Sequence, residues 1–164
     1  MILMSKGINP QQSSAIEQRI NEMVQQSRIL EAYMNDIVTK EATALRLIEE
    51  ARLAASALHN LAAGDHAESL VPVGIGIYMK ALIPPVDKLL VNVGAGVTVE
   101  KSRQDAVNYI ESRIKEFEVA SRQLAEQKQQ VDLRMTQIQE QLNQMLQQSS
   151  GAQQGATGSG SPTS

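Results

Sequence analysis

The sequence predicts an α+β fold: a long antiparallel two-helix coiled coil with two β-hairpins between its arms, the hairpins closing into a β-barrel shared between subunits. Three observations predict it. Two stretches of about 50 residues each carry apolar side chains at seven-residue spacing, the signature of a coiled-coil seam. The segment between them is rich in Val, Ile, Gly and Pro, with period-two patterning. And among 164 residues only Tyr33, Tyr78, Tyr109 and Phe117 are aromatic, so the apolar material suits thin helix pairs better than a thick globule.

A flexible lead-in is expected over residues 1–12, followed by a helix over 13–63. Ser14 and Glu17 have capping-box spacing at its start. One row of the repeat is Ile16, Met23, Leu30, Ile37, Ala44, Ala51 and Leu58; the other is Ile20, Ser27, Met34, Glu41, Ile48 and Ala55. Alternating steps of four and three are the a and d positions of a heptad. Gly64 suits a left-handed helix cap. A second helix is expected over 102–149, opened by Ser102 with Asp105. Its rows are Ile110, Phe117, Leu124, Val131, Ile138 and Met145, and Val107, Ile114, Ser121, Lys128, Met135 and Leu142. Gly151 is the expected stop, and 150–164 the expected disordered tail, since Gly, Ser, Ala and Gln offer little apolar area to offset ordering entropy. At 1.5 Å per residue each arm is roughly 70–75 Å long and buries one stripe, so each needs a partner of similar length. The other arm, folded back antiparallel, is the economical partner. Glu41 and Lys128 interrupt the seam at comparable depth. They either pair and help set register, or extend their charged ends out of a narrow seam.

Residues 68–101 form the expected hairpin region. Ser69 to Ile83 alternates β-branched residues with Gly74 and Gly76. Pro84-Pro85-Val86-Asp87 is a turn, and Val91-Asn92-Val93 and Val97-Thr98-Val99 flank Gly94-Ala95-Gly96. Four short strands leave edges and faces uncovered, which invites pairing with another chain. A barrel shared between subunits would cover both.

At this segment the sequence becomes specific. Leu70-Val71-Pro72-Val73-Gly74-Ile75-Gly76-Ile77-Tyr78 and Lys88-Leu89-Leu90-Val91-Asn92-Val93-Gly94-Ala95-Gly96-Val97-Thr98-Val99-Glu100-Lys101-Ser102, in the order helix, two hairpins, helix, resemble the alpha class of prefoldin subunits over about residues 13–148. The resemblance implies a cytoplasmic chaperone subunit that is not an enzyme and needs no cofactor. It implies a hetero-hexamer of two alpha and four beta subunits, the latter with a single hairpin each. Its arm tips would hold non-native client proteins without ATP and pass them to a group II chaperonin. Carried onto this chain, assembly falls to Val71, Val73, Ile75, Ile77, Leu90, Val91, Val93, Val97 and Val99. The glycines 74, 76, 94 and 96 would allow bulges or close backbone approach. Client binding falls to Ile16, Ile20, Met23, Ile138, Leu142, Met145 and Leu146. Fraying helix ends intermittently uncover seam residues, and Met adapts to varied shapes. The apolar start Met1-Ile2-Leu3-Met4 and the Gly/Ser-rich tail lie at the same end and depart from the simplest family pattern.

Other chemistry is poorly supported. The net charge is −3 with both signs interspersed, and basic and aromatic residues do not interleave along an arm, which argues against nucleic acid as a partner. No apolar run approaches the ~20 residues of a membrane span. The absence of Cys removes disulfide and thiol chemistry. Gly94-Ala95-Gly96 opens like a dinucleotide fingerprint but runs into a strand pattern. His59 and His66 lack enough convergent ligands for a metal. Glu49-Glu50 and the Gln-rich stretches belong to solvated helix faces. The competing reading of the whole is an architectural coiled-coil protein in which hairpins assemble and arms act as spacers.

Overall fold

A computed structural model of the chain describes residues 9–61 and 64–154. Its elements run α1 (Pro10–Asn60), β1 (Ala67–Gly74), β2 (Ile77–Ile83), β3 (Lys88–Gly94), β4 (Val97–Ser102) and α2 (Arg103–Gln154). Two long helices therefore flank two antiparallel hairpins. The described residues fall into two compact units. One holds the chain up to Lys40 together with the chain from Leu124 onward; the other is Glu41–Gln123.

In the first unit the buried side chains are Met23, Ile37, Val131 and Ile138, all of them seam positions of the two heptad rows. The Tyr33 hydroxyl donates to Gln127 Oε1 across the helices at 3.5 Å. In the second unit Ala44, Ile48, Ala106 and Val107 are buried. Arg52 meets Glu118 at 2.9 Å and Arg103 reaches the carbonyl of Leu61, so moving back along α1 corresponds to moving forward along α2. The helices here are antiparallel. The Arg52–Glu118 pair is more than two-fifths exposed on both sides, and solvent screening leaves such pairs about 0–1 kcal/mol. The apolar seam carries the packing.

The helix limits differ from those expected. α1 begins at Pro10, not at residue 13, and Ser14 and Glu17 lie inside it. Proline's fixed φ and missing N–H suit the first helical position. The carbonyl of Asn9 accepts from the amides of Gln12 and Ser13 at 2.7 and 3.2 Å, which completes the start. α2 continues through Gln154, so Gly151 is not its stop and residues 150–154 are helical rather than tail. One glycine costs a helix only about 1 kcal/mol relative to alanine, and the hydroxyls of Ser149 and Ser150 donate back to the Leu146 carbonyl within the last turns. Residues 1–8 of the expected lead-in and 155–164 of the expected tail lie outside the described residues.

The start of α2 follows the expected cap: the amide of Asp105 donates to Ser102 Oγ at 3.1 Å, and the Asp105 carboxylate complements the helix dipole. Arg103, the first residue of α2, donates to the Leu61 carbonyl just beyond the end of α1. A cation there satisfies an orphan acceptor and opposes the negative end of the dipole. Arg103→Ala should lower the stability of this unit by about 1–2 kcal/mol, read as a shifted urea midpoint by circular dichroism. Arg103→Lys should recover part of it.

Candidate functional site

The two hairpins are built alike, twenty residues apart in sequence. Val71 pairs with Met79 and Pro72 with Tyr78 in the first; Val91 pairs with Val99 and Asn92 with Thr98 in the second. Each ladder shifts register just before its turn, between Pro72 and Gly74 and between Asn92 and Gly94. Val73 and Val93 are therefore bulged, which tightens the local twist. In the second hairpin Asn92 Oδ1 accepts the Gly94 amide at 2.9 Å, giving the bulged backbone a partner. Pro72, the counterpart of Asn92, lies on a two-stranded ribbon where both strands are edges, the setting in which a strand tolerates proline.

Both turns have positive φ at their two central residues: Ile75 at 41° and Gly76 at 77°, Ala95 at 50° and Gly96 at 75°. Such turns match the twist of the flanking strands. A Cβ added at Gly76 or Gly96 would meet nothing within 4 Å, so conformation rather than close approach requires glycine there. Ile75 is the anomaly. It is β-branched, left-handed and 100 % exposed at the hairpin tip, where asparagine would be less strained. Ile75→Asn should stabilise the isolated chain by about 1 kcal/mol in thermal unfolding, and should weaken any assembly that uses this side chain, read by the concentration dependence of particle mass.

The hairpin surface is apolar and uncovered. Of the expected assembly residues, Val71, Val73, Ile75, Ile77, Leu90, Val93 and Val97 are exposed, while Val91 and Val99 are half-buried. Leu70, Tyr78, Met79 and Leu82 are exposed as well. They belong to the same surface, and the register shows why. Leu70, Pro72, Tyr78 and Leu82 share one face of the first ribbon, and Val71 and Met79 the other. Among the described residues neither face is fully covered, though the Val71 and Met79 face is half-buried at Ala67, Ser69, Ala81 and Ile83.

At the open end of the seam, in the other unit, the seven expected client residues divide. Met23 and Ile138 are buried, at 7 % and 3 % exposure. Ile16, Ile20, Leu142 and Met145 are half-buried and Leu146 is exposed. Met23 and Ile138 lie further from the helix ends than the other five, but position alone does not decide burial, since Leu30, Met34, Leu124 and Met135 deeper in the seam are half-buried as well. These side chains form an apolar ledge among exposed polar residues, Glu17, Arg19, Glu140 and Gln141 among them.

Among the described residues no group of three or more His, Cys, Asp or Glu could hold a metal ion, and no helix is long and apolar enough to cross a membrane. His59 and His66 are exposed. Gly94-Ala95-Gly96 ends a strand and forms a turn, so it presents no helix start to a phosphate. The Lys40 ammonium is held above its ordinary value by a hydrogen bond and charge from Asp36 at 2.7 Å, one helical turn away on the surface.

A family model described as Prefoldin subunit matches residues 30–148. A prefoldin subunit alpha of Nitrosopumilus maritimus is 37 % identical over 131 residues, covering 80 % of this chain and 90 % of that one. A prefoldin subunit alpha of Methanospirillum hungatei is 29 % identical over 153 residues, covering 93 % and 98 %. Among solved structures, a filamentous PFD of Methanocaldococcus jannaschii determined by cryo-EM superposes with a TM-score of 0.58 at 22 % identity, covering 74 % of this chain and 98 % of that one. That likeness concerns the fold.

Proposed function

The chain belongs to the prefoldin family, and from that premise we propose that it is the alpha-type subunit of a hexamer with four single-hairpin beta subunits, holding non-native proteins at its coil ends. Prefoldins are non-enzymatic chaperones, so the chain is not an enzyme. The observation that carries the proposal is the pairing of two uncovered apolar surfaces in one chain: both faces and edges of the hairpins, and the open end of the seam.

The hairpins favour assembly. Exposed strand edges and apolar faces are costly in water, and a barrel closed with neighbouring subunits satisfies both. The seam end favours capture. Burial yields roughly 25 cal/mol per Å², so a single small ledge binds weakly. Several ledges on one platform raise effective concentration enough to retain a client without a nucleotide cycle. Release to a group II chaperonin in the cytoplasm follows from competition between two weak, multivalent surfaces.

Co-expression with a single-hairpin subunit of the same organism tests this. The expected result is a six-subunit particle by native mass spectrometry, containing two copies of this chain, that suppresses aggregation of a denatured protein without ATP. A particle that forms without suppressing aggregation would favour the architectural role. A chain that stays alone would remove the platform.

A further inference from the structure

Each ribbon has one blunted edge and one open edge. Pro72 has no amide to donate from β1, and the bulged Val73 and Val93 bend β1 and β3 out of regular pairing. β2 and β4 carry neither proline nor bulge, and among the described residues each is paired on one side only, in a two-stranded sheet. We propose that β2 of one copy of this chain pairs antiparallel with β4 of a second copy, with Lys80 opposite Glu100. This pairing rests on the reading of the chain as a subunit present twice in one particle, and it adds how the two copies meet.

The register follows from the likeness of the hairpins. Lys80 stands opposite Leu70 and Glu100 opposite Leu90, at equivalent places in the two ladders. Their backbone groups are therefore oriented alike, each relative to its own ribbon. An antiparallel ladder requires this of any two residues set opposite each other. With Lys80 opposite Glu100, Tyr78 meets Ser102 and Leu82 meets Thr98, and all six residues of β4 are covered by β2.

Charge selects the partner edge. Two β2 strands centred on one another would set Lys80 opposite Lys80, and like charges directly opposite are destabilising. β2 on β4 opposes unlike charges instead. Lys80 and Glu100 are both exposed. Glu100 has one ion-pair partner, Lys88 at 3.9 Å, but their side chains are 65 % and 72 % exposed, so that contact is too weak to withhold the carboxylate. The apolar residues agree. Tyr78 and Leu82, exposed on the Lys80 face, gain a neighbouring strand, and on the other face Ala81 comes opposite Val99 and Ile83 opposite Val97. The contact joins unlike edges, so two copies that use it once keep one β2 and one β4 edge for other subunits.

The chain has no cysteine, so engineered pairs report the contact. Two differently tagged versions of the full chain, one with Leu82→Cys and one with Thr98→Cys, are co-expressed with a cysteine-free single-hairpin subunit. Mild oxidation of the particle should join the two versions to each other. It should do so about tenfold faster than it joins Leu82→Cys to Glu100→Cys, a diagonal position too distant for an unstrained disulfide. Equal rates, or no disulfide in a particle that holds both versions, would overturn the pairing and leave the platform standing. Adding Lys80→Glu to the Leu82→Cys version should slow the reaction about fivefold. Adding Glu100→Lys to the Thr98→Cys version as well should restore it, because unlike charges again lie opposite. An unchanged rate at the first step, or no recovery at the second, would overturn the charge match. A chain that enters no particle with a second copy would remove the platform itself, which native mass spectrometry shows before any oxidation.

Discussion

Ile37→Ala is expected to lower the stability of the coil by about 3 kcal/mol, within the 2–5 kcal/mol seen when a large aliphatic side chain is cut from a closed core. Ile37 is 1 % exposed, the most completely buried large side chain among the described residues. It belongs to the same unit as Met23, Val131 and Ile138, and the seam is one side chain deep. A two-helix coil has no second layer from which atoms can move in, so the loss combines transfer free energy with an unfilled void. Urea unfolding followed at 222 nm by circular dichroism should show the shift. Leu53→Ala serves as the contrast: Leu53 is 66 % exposed, and its truncation should stay within about 0.5 kcal/mol. Comparable losses at both positions would mean that the heptad rows do not define the core.

The second large effect concerns capture. Ile20→Ser/Leu142→Ser/Met145→Ser should reduce client affinity of the assembled particle roughly three- to tenfold while leaving its mass unchanged. These three side chains are half-buried, so each gives up only part of its area to a client. At roughly 25 cal/mol per Å² the three together still amount to a kcal/mol or two per tip, and about 1.4 kcal/mol is a factor of ten. In the proposed hexamer the tips of the other subunits would keep the particle from losing all binding. Aggregation suppression measured against particle concentration reports the change, and native mass spectrometry shows that assembly persists. Suppression equal to that of the parent would remove these tips from the account.

The seam was legible in the sequence because a coiled coil writes its core as a period. Every residue of the two rows from Ile16 to Leu58, and from Val107 to Met145, is buried or half-buried, including the interruptions Ser27, Glu41, Ser121 and Lys128. The period could not show where the seam opens. Met23 and Ile138 are buried although they occupy the same repeat positions as Ile16 and Met145, and Leu30 and Leu124 of the same rows are only half-buried, so the period does not rank burial along the seam. Ala106, buried at 1 % exposure, lies outside both rows; so small an apolar residue leaves no distinct mark on a pattern already rich in Ala. The helix start was misplaced because Ser14 and Glu17 mimic a cap, while Pro10 after Asn9 was the stronger signal for a first helical position. Strand patterning located both hairpins. Their turns were harder to read, since the left-handed positions carry Ile75 and Ala95 in place of the Asn or Asp that usually marks such a turn.

Amide hydrogen exchange of the assembled particle, with and without a denatured client, tests the account most directly. New protection should fall on residues 16–20 and 142–146, with the strands from Ala67 to Ser102 equally protected in both states. Protection gained in the strands, with the seam ends unchanged, would contradict it.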